Sequence, residues 1–144
     1  MPGTLHTGAD MIANMTPELK SGMYVFVTIN DRARIASLTA EAIGTFHEEE
    51  GMSLILPLEV ARKSSLNTDQ PMRCITLNVY SALDGVGLTA AVATVLGDAD
   101  IPCNMVAAYH HDHVFVPVDM AERALAVLVE LQRRSSAVMG GNGL

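Results

Sequence analysis

Residues 54–61, Leu-Ile-Leu-Pro-Leu-Glu-Val-Ala, and residues 114–121, Val-Phe-Val-Pro-Val-Asp-Met-Ala, match in character at every position across an offset of sixty. Each reads as a short apolar strand, then a proline, then an acid near the start of a helix. Proline ends a strand and suits a first helical turn. The acid favours the positive end of the helix. A second match lies upstream, where residues 23–29 (Met-Tyr-Val-Phe-Val-Thr-Ile) parallel residues 73–79 (Arg-Cys-Ile-Thr-Leu-Asn-Val) at an offset of fifty. Val25, Val27 and Ile29 correspond to Ile75, Leu77 and Val79, and the period-two alternation gives each strand one apolar face. Two copies of one small unit therefore lie in tandem.

The change of offset locates their difference. In the second copy the segment between the first two strands holds a helix with an apolar stripe of Leu88, Ala91, Val92, Val95, Leu96 and Ala99. In the first copy only Asp31 to about Ala40 is available, so its helix is expected to be short. The second copy then reads strand 72–80, loop 81–87, helix 88–99, strand 102–109, turn 110–112, strand 113–117 and helix 119–133, a βαββα order. Pro102 suits the start of a strand or an edge. Ala121, Ala124, Leu125, Leu128 and Leu131 share one face of the last helix. A split βαβ closure with helices on one face of an antiparallel sheet follows. Units this small are marginal alone, so the two are expected to pack together.

The expected organisation is a flexible or briefly helical N-terminus over residues 1–14, a first unit over 15–68, a second over 69–134, and a flexible tail over 135–144. Residues 1–8 read as disordered, residues 9–15 as one or two helical turns broken before Pro17, and the tail contains Gly140, Gly141 and Gly143.

Across the chain's 144 residues the formal net charge is −7, and this acidity offers no footprint for nucleic acid or an anionic membrane. No apolar run approaches a membrane span, and the first basic residue is Lys20, unlike a secretory leader. The expected location is cytoplasmic. Cys74 and Cys103 read as reduced, largely buried thiols, not as a disulfide framework.

Three segments concentrate polar or reactive groups. Ser81-Ala82-Leu83-Asp84-Gly85-Val86-Gly87-Leu88 leads from a strand into the amphipathic helix. Its two glycines let backbone approach a ligand, and free N–H groups at a helix start suit a carboxylate. An amino acid presents that group, and its ammonium needs acceptors such as Asp84 and Asn104. The same segment also reads as a plain β–α turn with Asp84 as helix cap. Gly85-x-Gly87 is no dinucleotide fingerprint, since residue 90 is alanine.

His110-His111-Asp112-His113 is the one concentration of metal-capable side chains. It falls at a hairpin turn, where alternation sends His111 and His113 to one side and His110 to the other, whereas zinc needs three or four convergent ligands. A turn with exposed histidines is the reading adopted, with no metal and no cofactor. Glu48-Glu49-Glu50 occupies the matching hairpin of the first unit and reads as a solvated turn, not as catalytic carboxylates. Ser53, Ser64, Ser65 and Ser81 sit in no nucleophile motif. No catalytic residues are assigned.

The chain resembles the ACT domain family, in particular small proteins with paired ACT units like the regulatory domains of aspartate kinase. The residues carrying the resemblance are Thr45 to Pro57 in the first unit, and Arg73 to Leu77, Val86 to Ala93 and Tyr109 to Pro117 in the second. It covers roughly Met15 to Gln132. It implies an α+β fold of two ferredoxin-like βαββαβ-type units, oligomerisation through sheet edges or helices, and regulatory binding of a small molecule, typically an amino acid. It does not imply catalysis. The family's effector pocket is lined by the loop and the adjoining second strand. Carried over, these are Asp84, Gly85, Val86, Gly87 and Leu88, with Cys103, Asn104 and Met105.

The reading is thus a non-enzymatic sensor or regulatory protein that takes a small-molecule effector, an amino acid, and forms a homodimer or higher oligomer. A purely structural adaptor of ACT units is the alternative. A metal-dependent enzyme using the 110–113 cluster is a weaker one.

Overall fold

The computed structural model describes residues 5–79 and 81–142, with side chains outside 5–10, 81–86 and 138–142. In chain order the elements are β1 (Leu5–Thr7), α1 (Gly8–Ala13), β2 (Thr16–Leu19), β3 (Tyr24–Ile29), α2 (Arg32–Thr39), β4 (Gly44–Glu48), β5 (Gly51–Pro57), α3 (Leu58–Lys63), β6 (Met72–Asn78), β7 (Ser81–Val86), α4 (Leu88–Asp98), β8 (Asn104–Ala107), β9 (Asp112–Pro117) and α5 (Ala121–Asn142). They form two compact units, one of Ser21–Arg73, the other of the chain up to Lys20 and from Cys74 onward. The division falls inside β6.

In the Ser21–Arg73 unit the strands run β4-β5-β3, all antiparallel, with Met72 at the start of β6 opposite Tyr24. Alternation fixes the faces. Val25 pairs with Leu56, Val27 with Leu54 and Ile29 with Met52, all toward the helices. Val25, Ile29, Leu54 and Leu56 join Leu38 of α2 and Leu58 and Ala61 of α3 in one core. The Asp31 side chain caps α2 by accepting from the N–H groups of Ala33 (2.9 Å) and Arg34 (3.4 Å). Arg34 in turn donates to the carbonyl of Ser64, just past α3. At the β4–β5 hairpin Gly51 has φ 153°, and a Cβ there would lie 2.6 Å from Asn30 Oδ1 and 2.9 Å from the Ile29 carbonyl. Only glycine fits. The three glutamates at this hairpin are exposed, as a solvated turn requires.

In the other unit the strands run β2-β6-β9-β8. Ile75 and Leu77 from β6, Val79 just after it, and Val114 and Val116 from β9 meet Leu88, Val92 and Leu96 of α4 and Ala121, Ala124 and Leu128 of α5. This is a ferredoxin-like sheet with helices on one face, but its closing strand comes from upstream. A βαββα order leaves one edge of β6 unpaired, and β2 fills it antiparallel, from Thr16 opposite Asn78 to Leu19 opposite Ile75. Asn78 Nδ2 donates to Glu18 Oε1 across that pair (3.1 Å).

The repeat is real to within a few degrees. Pro57, before α3, has φ −54° and ψ 138°. Pro117, before the turn Val118–Met120 that leads into α5, has φ −54° and ψ 143°. The source of the offset change differs from expectation, however. Nine residues (79–87) separate β6 from α4, against two (30–31) between β3 and α2, while α4 is only three residues longer than α2. Most of the extra length therefore lies in the connection, where a loop was expected over 81–87 and the backbone forms β7.

Both ends also depart from expectation. Of residues 1–8, read as disordered, Leu5–Thr7 form β1, and residues 1–4 lie outside the described residues. Met11 and Met15, each 1% exposed, belong to the core of the unit that contains α4 and α5, and so neither the 1–14 nor the 15–68 boundary coincides with a unit boundary. Met11 on α1 and Met15 just after it both reach the apolar residues of α4 and α5. Gln132 Nε2 donates to the Ala13 carbonyl (2.7 Å) and ties the end of α1 to α5. At the other end α5 continues through Asn142, where a flexible tail was expected from residue 135, and residues 143–144 lie outside the described residues. Ser135, Ser136, Ala137 and Val138 follow the helical stretch without a proline, and no breaker stops it before the glycines.

Candidate ligand-binding site

The segment singled out by its glycines is built from β7 and the start of α4. β7 pairs in parallel with β1, Leu5 opposite Ser81 and Thr7 opposite Val86, with a shift of register between the two. Asp84, Gly85 and Val86 are thus strand residues by backbone, and their side chains lie outside the described residues. Gly87 follows at φ 110°, in the left-handed region, and is the N-cap of α4. A glycine cap offers no side-chain acceptor to the orphan N–H groups of the first turn. The contrast with α2, whose cap Asp31 takes two such N–H groups, lies within this one chain. An α4 capped by Asp84 is not what the backbone shows, because Asp84 sits within β7, three residues before the cap.

Leu88, Cys103 and Met105 are brought together, but on the core. Leu88 is 3% exposed among Val92 and Leu96, and half-buried Cys103 and Met105 pack against the same cluster. Their side chains pack on the core, beside the helix start and the edge strand. Asn104 alternates to the opposite face. It lies on β8, opposite Phe115 of β9, and its Nδ2 donates to the Phe115 carbonyl (3.4 Å). β9 stands between β8 and β6, so Asn104 is not on a strand next to the one leading into the loop, as the sequence suggested. Its unit ends its sheet at β8.

The histidine cluster is divided by the β8–β9 hairpin. Ala108 N–H donates to the His111 carbonyl (3.0 Å) and closes the turn. His110 is exposed, its ring edge-on to Tyr109 at 5.0 Å. His113 turns onto the sheet face, with Nδ1 3.0 Å from Thr76 Oγ1. Among the described residues no three His, Cys, Asp or Glu side chains are grouped to hold a metal ion. Burial holds the His113 imidazole below its usual pKa, aided by His111, while Asp112 opposes. Burial also raises the Asp112 carboxyl, against the pull of His113 and His111. Burial pushes the Cys74 thiol up, which makes it a poor nucleophile at neutral pH.

Thr76, which reading by alternation placed on the more mixed face without assigning it a role, is buried at 4% and organises this region. Its sequence signal was a threonine set between Ile75 and Leu77. β7 gave less warning, since Asp84 and the two glycines argued for a loop.

The geometry defines a protein of two ferredoxin-like α+β units in tandem. Residues 9–73 match an ACT domain, and residues 70–130 match another. A Vibrio cholerae protein of unknown function, described as a possible transport protein, is 42% identical, with a TM-score of 0.77 over 86% of this chain and 94% of that one. The chain belongs to the ACT domain family. The ligand-free regulatory subunit of aspartate kinase from Thermus thermophilus superposes with a TM-score of 0.61 at 10% identity, over 82% of this chain and 96% of that one. The aspartate kinase of Clostridium acetobutylicum gives 0.55 at 12% identity, over 81% of this chain but 34% of the enzyme. At these identities the likeness is one of fold. No curated protein matches the chain.

Proposed function

We propose that this protein is a regulatory, ligand-binding protein that performs no catalysis itself, and that its effector is an amino acid. One observation carries the reading: α4 begins at a glycine held at φ 110°, so that its first N–H groups meet no acceptor from the cap side chain. A carboxylate fits such a place, where helix dipole and N–H donors act together. In this reading the α-carboxylate lies at Gly87 and Leu88. The backbone of Gly85, Val86, Cys103 and Met105 lines the site, and Asp84 and Asn104 offer oxygen acceptors to the ammonium. The fold-level likeness to the regulatory subunit of the Thermus thermophilus aspartate kinase supports a regulatory role.

The same reading makes the working form a homodimer or higher oligomer, since β8 ends its unit's sheet with an edge that a second strand can cover. It places the protein in the cytoplasm. Among the described residues no helix is long and apolar enough to cross a membrane.

A thermal-shift screen of the full chain against the twenty amino acids tests the reading, because a ligand of the folded state alone raises the melting temperature. One or a few should do so. Asp84→Asn should weaken that ligand about tenfold, the loss of one charge-assisted bond. A screen in which no amino acid shifts the transition, for a chain that still self-associates, would leave a structural adaptor in place of a sensor.

A further inference from the structure

The N-terminal eleven described residues, 5–15, have no counterpart in the repeat, and they are built onto the one connection that the repeat does not share. Between β3 and α2 the chain crosses in two residues. Between β6 and α4 it takes nine, and six of these form β7, whose strand partner is β1. A two-stranded ribbon with a three-residue member does not stand by itself in water. What holds it is α1, which follows β1 without a break. α1 packs against β7, α4 and α5, Met11 and Met15 sit in the core beside Leu88, Val92 and Leu96, and Gln132 fastens the carbonyl of Ala13.

We propose that β1 is a strap, seated by α1, that holds β7 extended and so presents the α4 N-terminus at Gly87 in a fixed conformation. The pairing of Thr7 with Val86 reaches the residue next to Gly87. With β1 seated, the ordering cost of the connection is already met. With β1 released, residues 79–87 become a nine-residue tether, and any ligand at Gly87 must order it on binding. By reciprocity a ligand at Gly87 tightens the seating of β1 by the same factor. A modification, cleavage or partner that engages the N-terminal segment therefore changes effector affinity without touching the effector. The consequence for the effector rests on the reading of residues 84–88 as the ligand loop. The strap itself does not.

The test compares the full chain with one lacking residues 2–7, which keeps α1 and its core methionines. Backbone amide exchange over residues 81–86 should quicken about tenfold or more in the shortened chain, while exchange in α5 stays the same. Unchanged exchange at 81–86 overturns the strap. Should the shortened chain fail to fold, Leu5→Pro with Thr7→Pro removes backbone donors from β1 at full length and is read the same way. In parallel, each of the twenty amino acids is titrated against both chains. One that binds the full chain should bind the shortened one at least fivefold more weakly, and equal affinity overturns the coupling. If none binds either chain, the amino-acid reading falls, and the exchange result still decides the strap.

Discussion

Thr76 on β6 and His113 on β9 meet across neighbouring strands, hydroxyl to Nδ1 at 3.0 Å. Among the described residues Thr76 is the only buried polar side chain, and this bond satisfies it where a lost partner would be costly. The pairing makes stability depend on pH. Burial depresses the His113 pKa below its ordinary value near 6.5. Between that lowered value and about 6.5 the unfolded chain holds more protons than the native one, so stability rises with pH across the window and is lost on acidification. Asp112 acts in the opposite sense, since its raised pKa lets the native state keep a proton above about 3.8 that the unfolded state gives up. Its contribution is present at low pH and lost as pH rises through the raised value. Urea denaturation at pH 7.5 and 5.5 should show a loss at the lower pH that His113→Gln reduces. A slope equal in wild type and variant would place the titrating group elsewhere.

The second prediction concerns Met11. Sequence reading made the N-terminus subordinate, but Met11 is 1% exposed in the core with Leu128 and Val92. Met11→Ala should destabilise the protein by about 2–5 kcal/mol, the range for truncating a buried long apolar side chain. A cost under about 0.5 kcal/mol in denaturant titration would show α1 to be an ornament on the core.

These two sites mark where the sequence was legible and where it was not. Tandem matching across fifty and sixty residues predicted two α+β units, and Pro57 and Pro117 adopt the same backbone angles because the local chemistry is the same. Alternation sorted Val25, Val27 and Ile29 from Tyr24, Phe26 and Thr28 correctly, since a half-buried strand enforces period two. Nothing local announces that Thr16–Leu19 will complete the sheet of residues sixty positions away. That pairing answers an open edge on β6, a property of the assembled sheet and not of the segment. Gly87 was singled out for close approach to a ligand. Its φ of 110° shows a backbone requirement that a single sequence does not distinguish from that role. Asn104 and Met105 are neighbours in sequence and lie on opposite faces of β8, so the pleat sends their side chains to different surroundings.

Helix capping gives a third prediction. Asp31 accepts from the N–H groups of Ala33 and Arg34 at the start of α2, a helix that buries only Leu38 and has little packing to hold it. Asp31→Ala should cost about 1 kcal/mol, and Asp31→Asn or Asp31→Ser should restore most of it. If all three variants unfold alike, the carboxylate charge and not the cap bond is what matters.

The last prediction sets two glycines of one helix against each other. Gly97 lies inside α4 with nothing within 4 Å of the place its Cβ would take. Gly97→Ala should therefore stabilise the protein by about 0.5–1 kcal/mol, because alanine loses less backbone freedom on entering a helix. Gly87 precedes the same helix at φ 110°. Gly87→Ala should destabilise by about 1–2 kcal/mol, since a Cβ in the left-handed region meets the following carbonyl. The opposite signs separate backbone strain from ligand contact, a distinction that Gly87→Val cannot make because it introduces both. Loss of effector binding in Gly87→Ala then counts toward the site only beyond what the measured destabilisation explains. Two stabilising alanines would mean that the connection into α4 relaxes to a conformation open to any residue, and Gly87 would no longer define the start of the helix.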